Sequence, residues 1–253
     1  MGIFVRPATL RAASIFSAAR ERRQVLVCEL EVASKKPNAL LVPLPAAAGP
    51  GSVEKLDQAG FPLGPDGRRF FFADLQDYFV APPRRAGEGQ VFLRSPAPPD
   101  DVELVESPSS LARLEKDLRP QPALQVILEQ RYGSHLFALH RLPAGLSHAF
   151  VAVRFEPRDG ERIFFPMLQV PDGRKAAPTA TYVHALYAQG AKLDERMLPF
   201  HVRMLPAGSA QPEKPPAPPF PSFIDVRAPI DLATRWGKHP NEDLLAGLAP
   251  PGR

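Results

Sequence analysis

Residues 25–32 alternate between apolar and polar positions, with Leu26, Cys28, Leu30 and Val32 on one face and Glu29 and Glu31 on the other. A period of two predicts a strand with one buried face and one face in water. Asn38 to Pro45 forms a shorter apolar run, and Pro43 and Pro45 place it at a sheet edge or strand end, because proline cannot donate to a ladder. Val53 to Ala59 suggests a short helix inside a Gly/Pro-rich loop that continues from Gly60 to Gly67. The period then changes. Phe71, Phe72, Leu75, Tyr78 and Phe79 recur on one helical face, and Pro82-Pro83 stops the helix.

Gln90–Arg94 and Val102–Glu106 read as short strands. Ser107-Pro108 is a helix start, with serine as cap and proline in the first turn, and Leu111, Leu114 and Leu118 form the apolar stripe up to Pro120. Leu124–Gln130 fits a helix or a strand equally. Ser134–Arg141, His148–Glu156 and Arg162–Val170 read as strands, the last two joined into a hairpin by Pro157-Arg158-Asp159-Gly160. Thr179–Ala188 and Phe200–Leu205 add two more. Pro229 to Trp236 reads as a helix closed by Gly237, with Ile230 and Trp236 seeking burial. The expected fold class is α+β, mainly antiparallel β-sheet with two to four short helices. The expected layout is one domain over residues 1–210, a proline-rich strap over 211–222, and a segment at 223–253 packing back on the domain.

Composition sharpens this reading at one point. There are 32 prolines and 17 glycines in 253 residues. That proline content exceeds the usual ~5%, so elements must be short and loop-bounded. Six of the prolines fall within residues 212–221, a stretch expected to run as an extended polyproline path. It serves either as a stiff connector or as a ligand for a partner's aromatic groove. The formal charge of +4 is a weak footprint for nucleic acid. Cys28 is the single cysteine, which excludes an internal disulfide. The first residues lack a signal peptide's apolar stretch, and no apolar run reaches the ~20 residues that cross a bilayer, so a cytoplasmic location is expected.

No phosphate-binding glycine loop, dinucleotide fingerprint, helical zinc-protease pair or paired-cysteine metal site is present, and no cofactor is expected. Gly145-Leu146-Ser147-His148-Ala149 resembles a nucleophile elbow only on the surface, because a strand follows the serine where the elbow needs a helix. The six histidines are His135, His140, His148, His184, His201 and His239. His140 and His148 flank a Pro-Ala-Gly turn, from which they would face one another across a hairpin, and His184 alternates with Tyr182 and Leu186. These three are the candidate acid–base residues. Arg68-Arg69 before three phenylalanines suggests single-strand nucleic-acid stacking, but the helical period assigns those rings to the core.

One stretch is similar to a family known elsewhere. The run from Arg162 to Gly173, followed by Tyr182 to Gln189, with Asn38 to Pro43 upstream, resembles an uncharacterised family. In that family a Phe-Pro segment carries histidines before an Asp-Gly turn, and an Asp-His pair then precedes Leu-Tyr and Gln. His184, Leu186, Tyr187 and Gln189 match, whereas Gln169 and Pro171 stand where histidines are expected and Tyr182 where aspartate is. The resemblance implies no activity. Two function classes follow from the residues: a non-catalytic module binding another protein through a sheet face or the proline-rich segment, and a histidine-dependent hydrolase or metal-dependent enzyme. Nucleic-acid binding is a weaker third.

Overall fold

The computed structural model describes residues 2–20, 22–47, 49, 51–57, 61, 71–79, 102–160, 162–193, 200–204 and 220–248. Among them strands dominate, as expected for the class. In chain order they are β1 (Gly2–Phe4), β2 (Ala8–Arg20), β3 (Arg23–Ser34), β4 (Asn38–Leu44), β5 (Val53–Lys55), β6 (Val102–Val105), β7 (Leu136–Leu142), β8 (Gly145–Phe155), β9 (Arg162–Phe165), β10 (Gln169–Val170), β11 (Thr179–Gln189), β12 (Ala191–Lys192), β13 (Phe200–Met204), β14 (Ile230–Pro240) and β15 (Leu244–Leu248). Helices α1 (Phe71–Phe79) and α2 (Pro122–Tyr132) and a 3-10 helix at Pro108–Arg113 complete the set.

The strands form a seven-stranded sheet in the order β13-β14-β11-β2-β3-β8-β5, a five-stranded sheet in the order β10-β1-β4-β7-β6 and a three-stranded sheet in the order β12-β15-β9. Pairing is antiparallel except for β1 with β10 and β2 with β11. Side-chain alternation divides the core into layers. Inward residues of the two large sheets (Ile15, Leu30, Val151 and Leu186 against Phe4, Leu40, Val42 and Ala138) make the central core. Behind the five-stranded sheet, Leu41 and Leu139 pack on Leu111 and on Leu124 and Leu128 of α2. On the outer face of the seven-stranded sheet, Phe16, Val27 and Tyr187 are covered by α1, Phe61 and Phe223. The rings of Phe16, Phe61 and Phe71 meet edge to face at centroid distances of 5.3–5.7 Å, so the phenylalanines of α1 are core.

Several local expectations are corrected. Residues 230–240 form a strand and not a helix: β14 pairs with β11 over ten positions and with β13 on its other edge, and those two ladders outweigh a weak local helical pattern. Ile230 is buried, but Trp236 is 43% exposed. Val53–Lys55 pairs with β8 as a strand where a helix was expected. Pro43 is not at an edge, since β4 lies between β1 and β7, yet it sits beyond the pairs Ile3–Leu41 and Phe4–Leu40 and so breaks no ladder bond to β1. Strands β8 and β9 do not form a hairpin: β8 is flanked by β3 and β5, and β9 pairs with β15. The Ser107 cap holds, its hydroxyl accepting the Ser110 N–H at 3.2 Å, but the turn that follows is 3-10 rather than α. Gln90–Arg94, Arg68-Arg69 and residues 212–219 lie outside the described residues.

Four side-chain amides act as one-residue strands, each accepting the N–H and donating to the C=O of a single distant residue. Gln24 does so to Phe164 (3.1 and 2.6 Å), Asn38 to Arg6 (3.0 and 2.9 Å), Gln189 to Asp225 (2.9 and 2.8 Å) and Asn241 to Gln169 (2.7 and 2.8 Å). Each satisfies a backbone donor and acceptor at a place where no strand runs alongside. Asp243 serves a related purpose: its carboxylate accepts the Met167 and Leu168 N–H groups and the Tyr132 hydroxyl, tying α2 to the link between β9 and β10.

Candidate functional site

The three candidate histidines do not share one layer: His148 lies on the outer face of the seven-stranded sheet, whereas His140 and His184 both face the central core. His140 lies in β7 of the five-stranded sheet, buried on the face shared with Ala138 and Leu142, and its Nδ1–H donates to the Arg141 carbonyl at 2.9 Å. His148 lies in β8 of the seven-stranded sheet, opposite Glu31 and on the outer face with Phe150. Burial lowers its pKa, against an upward pull from Glu31. The expected His140–His148 hairpin is therefore corrected: the two strands belong to different sheets, and the side chains leave toward different layers. His184 is buried on the inner face of β11 between Tyr182 and Leu186, and its Nδ1 accepts the Val183 N–H at 3.1 Å. Burial, reinforced by the Arg235 charge, pushes its pKa well below the ordinary value and keeps it neutral.

Of the other histidines, His135 meets the Tyr132 ring edge to face, with a pKa lowered to about 4 by burial and by Arg158. His239 donates from Nε2 to the Trp236 carbonyl at 2.6 Å, and the backbone of His201 pairs with Ala233. Among the described residues no group of three or more His, Cys, Asp or Glu lies close enough to hold a metal ion. Ser147 is a buried strand residue and not an elbow nucleophile.

Two other constellations emerge that residue spacing did not reveal. The first is a buried polar corner at the free end of β11 and β14. Arg235 lies directly across from His184, is 2% exposed, and stacks its guanidinium over the Tyr182 ring at 4.5 Å from the centroid. Its Nη2 donates to the Pro240 carbonyl at 3.1 Å, its Nε has no hydrogen-bond partner, and no carboxylate pairs with it among the described residues. The Tyr182 hydroxyl donates to the same Pro240 carbonyl and lies 3.3 Å from Asn241 Oδ1, which fixes the ring under the cation. A helical reading of residues 229–236 conceals this pairing, whereas an alternating reading puts Asp231, Ala233 and Arg235 on one face.

The second is the outer face of the seven-stranded sheet beyond the region capped by α1. There Trp236 lies across from Val183, Ala12 from Glu31, and Glu31 from His148, with Leu146 one pair further along β8. Trp236 is 43% and Leu146 54% exposed. Four strand spacings separate them, roughly 19 Å. A bulge between Leu10 and Ala12 turns Arg11 onto this surface, 3.7 Å from Glu31. At the boundary with the capped region, Glu29 pairs across from Ser14. Glu29 is 4% exposed, its pKa is raised to about 8 by burial, and the Ser14 hydroxyl has no partner among the described residues. The water-facing position expected for Glu29 is thus corrected, because the sheet is covered on both sides at that row.

No protein-family model matches the chain, and no curated protein matches it. Among solved structures it is similar to a mutated baculovirus P35 after caspase cleavage, at 10% identity over 94% of this chain and 99% of that one, with a TM-score of 0.44. It is also similar to a chain of a caspase-8/P35 complex, at 9% identity over 94% of this chain and 96% of that one, with a TM-score of 0.43. Likeness at that level carries no argument about this chain, whose fold rests on the strand registers above. No helix among the described residues is long and apolar enough to cross a membrane.

Proposed function

We propose that this chain is a non-catalytic protein-binding module that presents the open end of the outer face of its seven-stranded sheet. The observation that carries the reading is the exposure of Trp236 on that face, with Leu146 at the opposite side and Val183 between them. Tryptophan is the residue type most often found at the energetic centre of protein interfaces, since it contributes a large rigid surface at low entropic cost. Between these two residues, β11, β2 and β3 are hydrogen-bonded on both edges and hold the middle of that surface rigid, so docking there costs little ordering. The histidine-based alternative gains no support, because His148 faces the outer layer while His140 and His184 face the central core, and no described group of three metal-ligating residues forms around any of them.

The test compares proteins recovered with the wild-type chain and with a Trp236→Ala/Leu146→Asp double variant, circular dichroism confirming that both are folded. A partner held by the sheet face is lost with the double variant, and a partner equally retained removes this surface from consideration. The proline-rich route separates cleanly: deletion of residues 212–221 is expected to leave a sheet-bound partner in place. A partner lost only on that deletion moves the binding site to the strap.

A further inference from the structure

A guanidinium removed from water without a counter-ion is an unstable arrangement, because desolvation costs several kcal/mol that only an opposite charge recovers. Arg235 is in that condition. One side of its plane rests on Tyr182, and its Nε is buried and unpartnered. The groups it touches cannot neutralise it: His184 is uncharged, and Tyr182 is held protonated by burial, its pKa raised to about 12; Asp243 and Glu242 act on Tyr182 from further off, and neither forms an ion pair with Arg235. Next to Arg235, Gly237 has a φ of +80° and is exposed, and a carbon added there would meet nothing within 4 Å. Open space thus lies at Gly237, two residues along β14 from the buried cation. The rim of that space carries His239, half-buried, 6.1 Å from the Tyr182 ring and attached to the strand through its bond to the Trp236 carbonyl. Lys238 is exposed on the same turn of chain and adds positive potential at the entrance.

We propose that the Arg235–Tyr182–His239 corner at Gly237 is a receptor for a carboxylate group, with Arg235 as its counter-charge and His239 as a displaceable cover. A carboxylate suits the site because its two oxygens match the spacing of Nε and one Nη of a guanidinium. The inference stands apart from the binding surface proposed above, which lies on the opposite face of the same strand.

The experiment follows the Arg235 Nε–H resonance of the full chain by NMR while acetate is added, with chloride at equal ionic strength as reference. Acetate is expected to produce a saturable shift that chloride does not. Arg235→Lys, which keeps the charge but loses the fork, weakens binding by roughly tenfold, the worth of one charge-assisted hydrogen bond. His239→Ala, which leaves Arg235 and its stacking in place, binds acetate at least as tightly as the wild type, so the outcome does not depend on an Arg235 variant folding. Equal responses to acetate and chloride, or a linear response to both, overturn the proposal. Acetate-specific binding in a chain whose partners are all retained by the Trp236→Ala/Leu146→Asp variant supports this corner while counting against the proposed function. The reverse pattern does the opposite.

Discussion

Asn241→Asp is expected to lower stability by about 3 kcal/mol or more at neutral pH, although the two side chains are nearly the same shape. The Asn241 amide accepts the Gln169 N–H, donates to the Gln169 carbonyl at 2.8 Å and to the Ala177 carbonyl at 3.0 Å, and its own N–H donates to the Pro178 carbonyl. Aspartate loses both side-chain donors and sets a carboxylate against two carbonyl oxygens in a buried site. Removing a donor while leaving its acceptors buried costs more than the net value of the bonds themselves. Urea denaturation measures the effect. Acidification should restore part of the loss, because a protonated carboxyl regains one donor. A variant as stable as the wild type at pH 7 would mean that the amide does not hold β10 to the β14–β15 link.

Glu29→Gln is expected to stabilise the protein in alkaline solution and to leave it nearly unchanged in acid. The Glu29 pKa rises in the folded state from 4.5 to about 8 because burial disfavours the ionised form. The folded chain then binds the proton more tightly than the unfolded chain. Stability from this residue is complete below about pH 4.5, falls as pH rises through the interval to about 8, and is flat beyond it. The shift corresponds to something on the order of 5 kcal/mol between the two plateaus. Glutamine resembles the protonated acid and does not titrate. Other groups, among them His135 and His184 with their lowered values, titrate in both proteins, so the difference between the two stability-against-pH curves isolates Glu29. Parallel curves from pH 5 to 9 would show that Glu29 reaches water in the folded protein.

The strands were legible where apolar and polar residues alternate without ambiguity. Leu26, Cys28, Leu30 and Val32 do face the central core, as the period of two requires. The same pattern misplaced Glu29, since alternation reports which residues share a face and not whether that face is covered. Residues 230–236 place apolar side chains at 230, 232, 233 and 236, a spacing compatible with either period, and their strand character comes from β11 and β13, partners distant in sequence. The β8–β9 link carried a sound local turn signal, but the edge of β8 was already taken by β5. The Arg235 corner was illegible for a related reason: it is assembled from Tyr182, His184, Arg235 and Gly237, on strands whose pairing no local spacing encodes. The amide bridges are hidden in the same way, each joining residues at least 32 positions apart.

The place of β14 also bears on how the chain reaches this arrangement during synthesis. Among the described strands, β13 meets the rest of the seven-stranded sheet through β14 alone, and β11 has β14 on one edge and β2 on the other. Until residues 230–240 leave the ribosome, β11 offers a bare hydrogen-bonding edge and β13 has no neighbour to join. Its other edge depends on joining residue 13 to residue 184 in a parallel register, a closure across most of the chain. Such late, long-range completion slows assembly and leaves a sticky nascent species in the interval.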